Sequence, residues 1–316
     1  MSDASPVQCL CGQILHVFEN ANATSAPMLR KAVAEGSINA AIELNCVAGI
    51  PKTPFVDGIP PTIWLHITHL EMLWAFTYGM FVSYEHEMRE TMVRMDILPT
   101  VHAYSETIRR RAANLLLWSK GLRQAYTEWP SDAPSPKSYL PEEKTLAGKV
   151  NTIFLAAVAL MLHHEFCHAV QRHMAPDRTP EEILEQEKEA DDFAHHQFID
   201  GSSAEHDKRI QAWSVLVPSL SCFYLAKKPA SFFQERHPHV HHRVAHAFSR
   251  LDFLDQENQD YFNGLCVIAL TSYMAEHNLL DADFQNDPNY YQGFDRASDA
   301  FDYFLGQMDL LDELPS

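Results

Sequence analysis

An apolar run from Val150 to Leu162, interrupted only by Asn151 and Thr152, leads straight into His163-His164-Glu165-Phe166-Cys167-His168. Any fold of this chain must therefore bury a helix that ends in imidazoles. The run is too short to cross a bilayer, which takes ~20 residues, so it reads as a core helix. Burying two histidines without a partner is costly, and the end of this helix therefore demands one. Histidines four apart project from one helical face, so His164 and His168 reach a common point, and Glu165 stands beside the first of them. His163 is out of frame, since no histidine follows it at the same spacing.

The chain has 18 histidines, so the pattern gains its meaning from a further ligand. Catalytic zinc usually takes three protein ligands and keeps a fourth position open. Residues 179–201 read TPEEILEQEKEADDFAHHQFIDG. Thr179 with Glu182 forms a capping box, Pro180 suits the first helical position, and Gly201 marks the far end, which predicts a helix over 180–200. At about 100° per residue, Ile183, Leu184, Ala190, Phe193, Ala194 and Phe198 share one apolar arc. Glu187 falls near the middle of that arc and Asp191 one turn further on, while Glu185, Glu189 and Asp192 fall on the solvent side. A carboxylate centred on an apolar face needs a cation or strong donors. The expectation is one zinc ion per chain, held by His164, His168 and Glu187, with Asp191 orienting a ligand histidine.

Such an ion acidifies its water and polarises a carbonyl, and Glu165 would take the proton as water attacks and then deliver it to the leaving amine. The stretch QERHPHVHHRVAH adds His237 and Arg243 as candidates for stabilising the oxyanion. His195, His196, His239, His241, His242 and His246 read as surface groups.

Elsewhere the patterning is helical. Amphipathic spacing in TSAPMLRKAVAEGSINAAIELN predicts a helix over 24–45, and aromatic-rich sequence predicts another from Ile63 to Met88. Helices are also predicted over 104–121, 143–173, 206–226, 239–253, 258–277 and 295–312, with a short strand or two around 120–128. A Pro- and Ser-rich loop at 131–142 separates a helical region, 1–130, from the part with the chemistry, 143–316, the whole making one unit. The fold class expected is mainly α, with at most a small β element. The terminal helix carries a stripe of Phe301, Phe304, Leu305 and Met308 under an acidic face, which predicts a packed helix and raises the idea of a cover over the active site.

A formal net charge of −18 excludes a nucleic-acid partner and disfavours an anionic membrane surface. The N-terminal MSDASPVQCLCGQ lacks the basic and apolar regions of a secretory signal. The six cysteines fit no zinc knuckle or redox pair. A cytoplasmic protein without stable membrane insertion is the expectation.

Together, HHEFCH and EKEAD resemble the HExxH and ExxxD motifs of the gluzincin metallopeptidases, which implies a zincin-like catalytic core. HPHVHHR is similar to the HPxxxxR element of CAAX-processing and HtpX-like peptidases, although the transmembrane helices of that branch are missing. EKEADDFAHHQFID resembles an element of the ImmA/IrrE regulator-cleaving proteases. Over the whole chain, the tryptophan-rich IWLHITHLEMLWAFTYGMFV, a W-P loop and these motifs resemble the Lit family of phage-exclusion proteases. That resemblance implies a phage-defence endopeptidase that cleaves a host protein, elongation factor Tu in that family, when a phage-derived activator is present. Two alternatives stay open: a catalytically silent sensor module on the same fold, and a regulator-cleaving protease of the ImmA/IrrE kind.

Overall fold

The helix ending in the two histidines is pinned at its start as well as at its end. In the computed structural model, which describes residues 5–40, 42–94, 104–173, 178–199, 208–225, 239–252, 254–280 and 296–312, this helix is α5, Lys144–Val170. A short 3-10 turn, Pro141–Glu143, leads into it. The side chain of Glu143 reaches back to accept the Leu140 N–H at 2.6 Å. Its carboxylate is fully buried, accepts the Tyr78 hydroxyl at 2.8 Å and lies 3.3 Å from the Arg111 guanidinium. A buried carboxylate needs such partners, and removing one strands the other.

The chain divides into two units, Met1–Pro176 with Glu189–Ser203, and Asp177–Lys188 with Ala204–Ser316. The dividing line falls inside one unbroken helix, α6, Pro180–Ile199.

The first unit contains α1 (Gln8–Glu19), α2 (Ser25–Ala34), α3 (Ile67–Arg94), α4 (Glu106–Gly121) and α5. It also has a three-stranded sheet of β1 (Ile42–Asn45), β2 (Phe55–Asp57) and β3 (Thr62–His66). β3 is central, parallel to β1 with Ile42 opposite Ile63, and antiparallel to β2 with Val56 opposite Ile63. α5 packs against α1, α3, β2 and β3. Val150, Ile153, Phe154, Ala157, Val158 and Leu162 are essentially inaccessible to solvent, as expected for a core helix. α3 and α4 pack so closely that a Cβ on Gly79 would meet Leu116 Cβ at 2.8 Å, which makes glycine necessary there. Trp74 donates to Asn151 at 2.8 Å, tying α3 to α5.

The second unit contains α7 (Lys208–Leu225), α8 (Val240–Ser249), α9 (Gln256–Glu276) and α10 (Ala297–Asp312). α10 buries Phe301, Phe304 and Met308 against α9 and α8. The expected packed terminal helix is thus present, supported by those two neighbours.

The fold is mainly α, with ten α-helices and one small sheet among the described residues. The sheet was misplaced in the sequence reading. Residues 120–128 hold no strand, and two of the three strands come from stretches read as helix. The predicted helix over 24–45 stops at Ala34, and Ile42–Asn45 pairs as β1. The helix predicted from Ile63 starts at Ile67, because Thr62–His66 is the central strand. Among the described residues one helix, Pro141–Val170, is long and apolar enough to cross a membrane, and 61% of its apolar window is buried inside the protein.

Candidate active site

α5 ends one residue short of a left-handed turn. The Gln171 N–H bonds to the Cys167 carbonyl at 2.9 Å, Arg172 takes φ 58°, and the His173 N–H returns to the His168 carbonyl at 3.0 Å. This six-to-one closure is a Schellman-type stop made without glycine. It folds the next side chain back on the helix, so that His173 Nδ1 lies 3.1 Å from His168 Nδ1. His173 Nε2 in turn lies 3.4 Å from Glu189 Oε2.

One turn earlier, His164 and His168 bring their Nε2 atoms to 3.0 Å of each other. On its other side, His164 Nδ1 lies 2.8 Å from Asp191 Oδ1. Each imidazole therefore faces a shared point through Nε2 and a supporting group through Nδ1. For His168 to keep a lone pair on Nε2, its Nδ1–H must donate to His173, whose own Nε2–H then faces Glu189.

α6 supplies the carboxylates. Its start is the expected capping box: Thr179 N–H donates to Glu182 at 2.8 Å, and Glu182 N–H donates to Thr179 Oγ1 at 3.2 Å. Its far half is set on the first unit by Phe193, which packs on Phe166 and His163, and by Gln197, which accepts from Asn22 at 2.8 Å. These contacts fix the rotation of the helix and turn Asp191 toward His164. Glu187 precedes Asp191 by one turn on the same helix and is 7% exposed. His164, His168 and Glu187 each offer a ligand atom, all within 4.8 Å of one another.

The donor set fits a zinc-class ion. Zinc–nitrogen bonds of about 2.0–2.1 Å hold two imidazole nitrogens slightly over 3 Å apart, close to the separation found here. Two imidazoles and a buried carboxylate are also the ligand types such an ion selects over magnesium or calcium. Glu165 follows His164 on α5 and is partly exposed.

The structure thus brings together His164, His168, Glu187 and Asp191. Glu185, Glu189 and Asp192 are exposed as expected, yet Glu189 also reaches His173, which corrects its reading as a purely solvent group. His173 was missed, and the only signal was a histidine five residues past His168, a spacing that becomes meaningful once the helix stops in a left-handed turn. His195 and His241 are buried, which corrects their reading as surface groups; His196 and His242 are exposed. His163 packs tilted against Phe18 with centroids 4.4 Å apart, and burial pushes its pKa down to about 4. It anchors α5 to α1 as a neutral ring. Cys167, between His164 and His168, is likewise buried, and burial raises its thiol to about 12. His237 and Gly201 lie outside the described residues, and Arg243 sits half-buried on α8 in the second unit.

A family model described as Peptidase U49 matches residues 63–266, a stretch from the central strand to the middle of α9. The chain is also similar to the cell death peptidase of Escherichia coli (strain K12), 26% identical over 217 residues, which cover 66% of this chain and 68% of that protein. No solved structure matches.

Proposed function

The chain belongs to the peptidase U49 family, and on that premise we propose that it is a zinc-dependent endopeptidase. Its ligands are His164, His168 and Glu187, and its proton carrier is Glu165. The observation that carries this reading is the buried Glu187 carboxylate, which shares a point within 4.8 Å with both imidazoles of the HExxH helix. Zinc bound there would polarise a peptide carbonyl and lower the pKa of a coordinated water to about 7.

The protein's own groups supply the rest. Asp191 and His173 hold the ligand rings by their Nδ1 atoms, which leaves both Nε2 lone pairs directed inward. Glu165 accepts a proton from the attacking water at its carboxylate and gives it to the amine nitrogen as the C–N bond breaks. A module that only bound metal would have no use for a carboxylate at that position.

The name of the Escherichia coli relative, cell death peptidase, favours a protein of the host cell as substrate. The likeness to the Lit family makes elongation factor Tu the first substrate to test, cleaved in the cytoplasm as a phage defence once a phage-derived activator is present. Mapping new protein N-termini after induction of wild type and Glu165→Gln tests the reading. Cleavage should fall by at least about 10²-fold in the variant, with metal content unchanged. Equal cleavage by both proteins overturns the mechanism.

A further inference from the structure

The second unit holds a histidine cluster for which the peptidase chemistry has no use. α8 begins with His239 at its N-cap, followed by Val240, His241 and His242. Val240, Val244 and Ala247 are buried and set the rotation of the helix, which leaves His241 at 0% exposure and turns His242, one position on, to solvent. α10 then arrives from the far end of the sequence. With Phe301, Phe304 and Met308 seated on α9 and α8, the neighbouring Asp309 is delivered to the start of α8.

One carboxylate oxygen serves both imidazoles there. Asp309 Oδ1 lies 2.9 Å from His241 Nε2 and 2.7 Å from His242 Nε2. The rings of His241 and His242 are 4.2 Å apart, and His239 lies within 5.8 Å of both. Burial pushes His241 below its usual range, although Asp309 works against this. Burial also raises the Asp309 carboxyl, but hydrogen bonds from His241 and His242 more than offset it and leave the acid below its ordinary value.

We propose that His241, His242 and Asp309 form a second metal site, which takes a zinc-class divalent ion and fastens α10 to the start of α8. Their three donor atoms lie within 4.8 Å of one another. Two nitrogens and one carboxylate suit zinc, cobalt or nickel and disfavour magnesium and calcium, which seek oxygen. On binding, each imidazole presents its Nε2 lone pair, with any proton there moving to Nδ1 or to solvent. Two of the three ligands face water, so the ion exchanges with the medium. Occupancy then follows the concentration of free ion, and docking of α10 follows occupancy. The family likeness over residues 63–266 includes His241 and His242 but stops short of Asp309, the acid that joins them.

The test uses the full chain with His164→Ala and His168→Ala, which disable the first centre. Equilibrium dialysis against zinc, and cobalt absorption spectra, should count one ion per chain. Adding His242→Ala and Asp309→Asn should reduce the count to zero. These two side chains are 52% and 56% exposed, so their replacement leaves the core intact. In the otherwise wild-type chain the same pair of changes should reduce two ions to one. Amide exchange over 297–312 should slow by about tenfold at zinc ten times the dissociation constant. An ion count of zero in the first variant, binding that survives the added changes, or exchange indifferent to zinc overturns the proposal. None of these readouts needs peptidase activity, so failure here leaves the peptidase reading standing, and the reverse holds.

Discussion

Two clusters of imidazole and carboxylate stand among the described residues, and they were assembled by different means. The first is written into one helix. Spacing alone aims His164 and His168 at a common point, and the partner acid stands 19 positions after His168, on the next helix. The second is made by packing. His241 and His242 are adjacent, a spacing that on a free helix points them about 100° apart, and the acid that unites them is 67 positions away on α10. Local geometry dictates the first cluster, while the second exists only as long as a distant helix is docked.

That contrast can be broken or sharpened by experiment. Phe304 is 1% exposed on the stripe that seats α10, and Phe304→Ala should cost about 3–5 kcal/mol of stability in the second unit. Denaturant unfolding and limited proteolysis should show α10 released while the metal at His164 and His168 stays bound. Loss of that metal in step with α10 would erase the distinction.

A third kind of buried histidine serves as a control. His69 on α3 is held neutral by burial, with His66 adding to the effect, and its pKa falls to about 4. Its folded pKa lies below the unfolded value, so its contribution is fully present above pH ~6.5 and is lost as pH falls toward 4. The loss should reach roughly 3 kcal/mol. Unfolding free energies measured across that window should depend less steeply on pH in His69→Leu, with His163 supplying part of the remaining slope, and an unchanged slope would remove His69 from the account.

The supporting groups of the first cluster come next. Asp191→Asn and His173→Phe should each weaken metal binding by about 10–100-fold, measured by competition with a chromophoric chelator. A change under about threefold in both would mean that the helix alone orients the rings. The smallest effect belongs to the turn itself. Arg172 carries φ 58°, and Arg172→Gly should raise stability by less than about 1 kcal/mol, seen as a small rise in Tm.

How much of this was legible follows the same division. The six helices from α5 to α10 were placed within a few residues, because each has helical periodicity bounded by caps or polar breaks. Glu187 and Asp191 could be picked from the carboxylates of α6 because facing is set by angle along a helix. The sheet was not legible. β1 and β2 have four and three residues, too few for alternation to show, and β3 is covered on both faces and merges into the apolar start of α3. His173 was hidden because its role depends on a left-handed Arg172, a conformation more typical of glycine. His241 was hidden because its burial is the work of helices remote in sequence.

The anchoring of α5 by Glu143 at one end and by its imidazoles at the other makes the intervening segment a ruler. Deleting or inserting one residue between them swings the rings by about 100° and shifts them about 1.5 Å along the axis. Substitutions of similar size can accumulate along this rod, whereas a change in its length would require one of the two moorings to be given up.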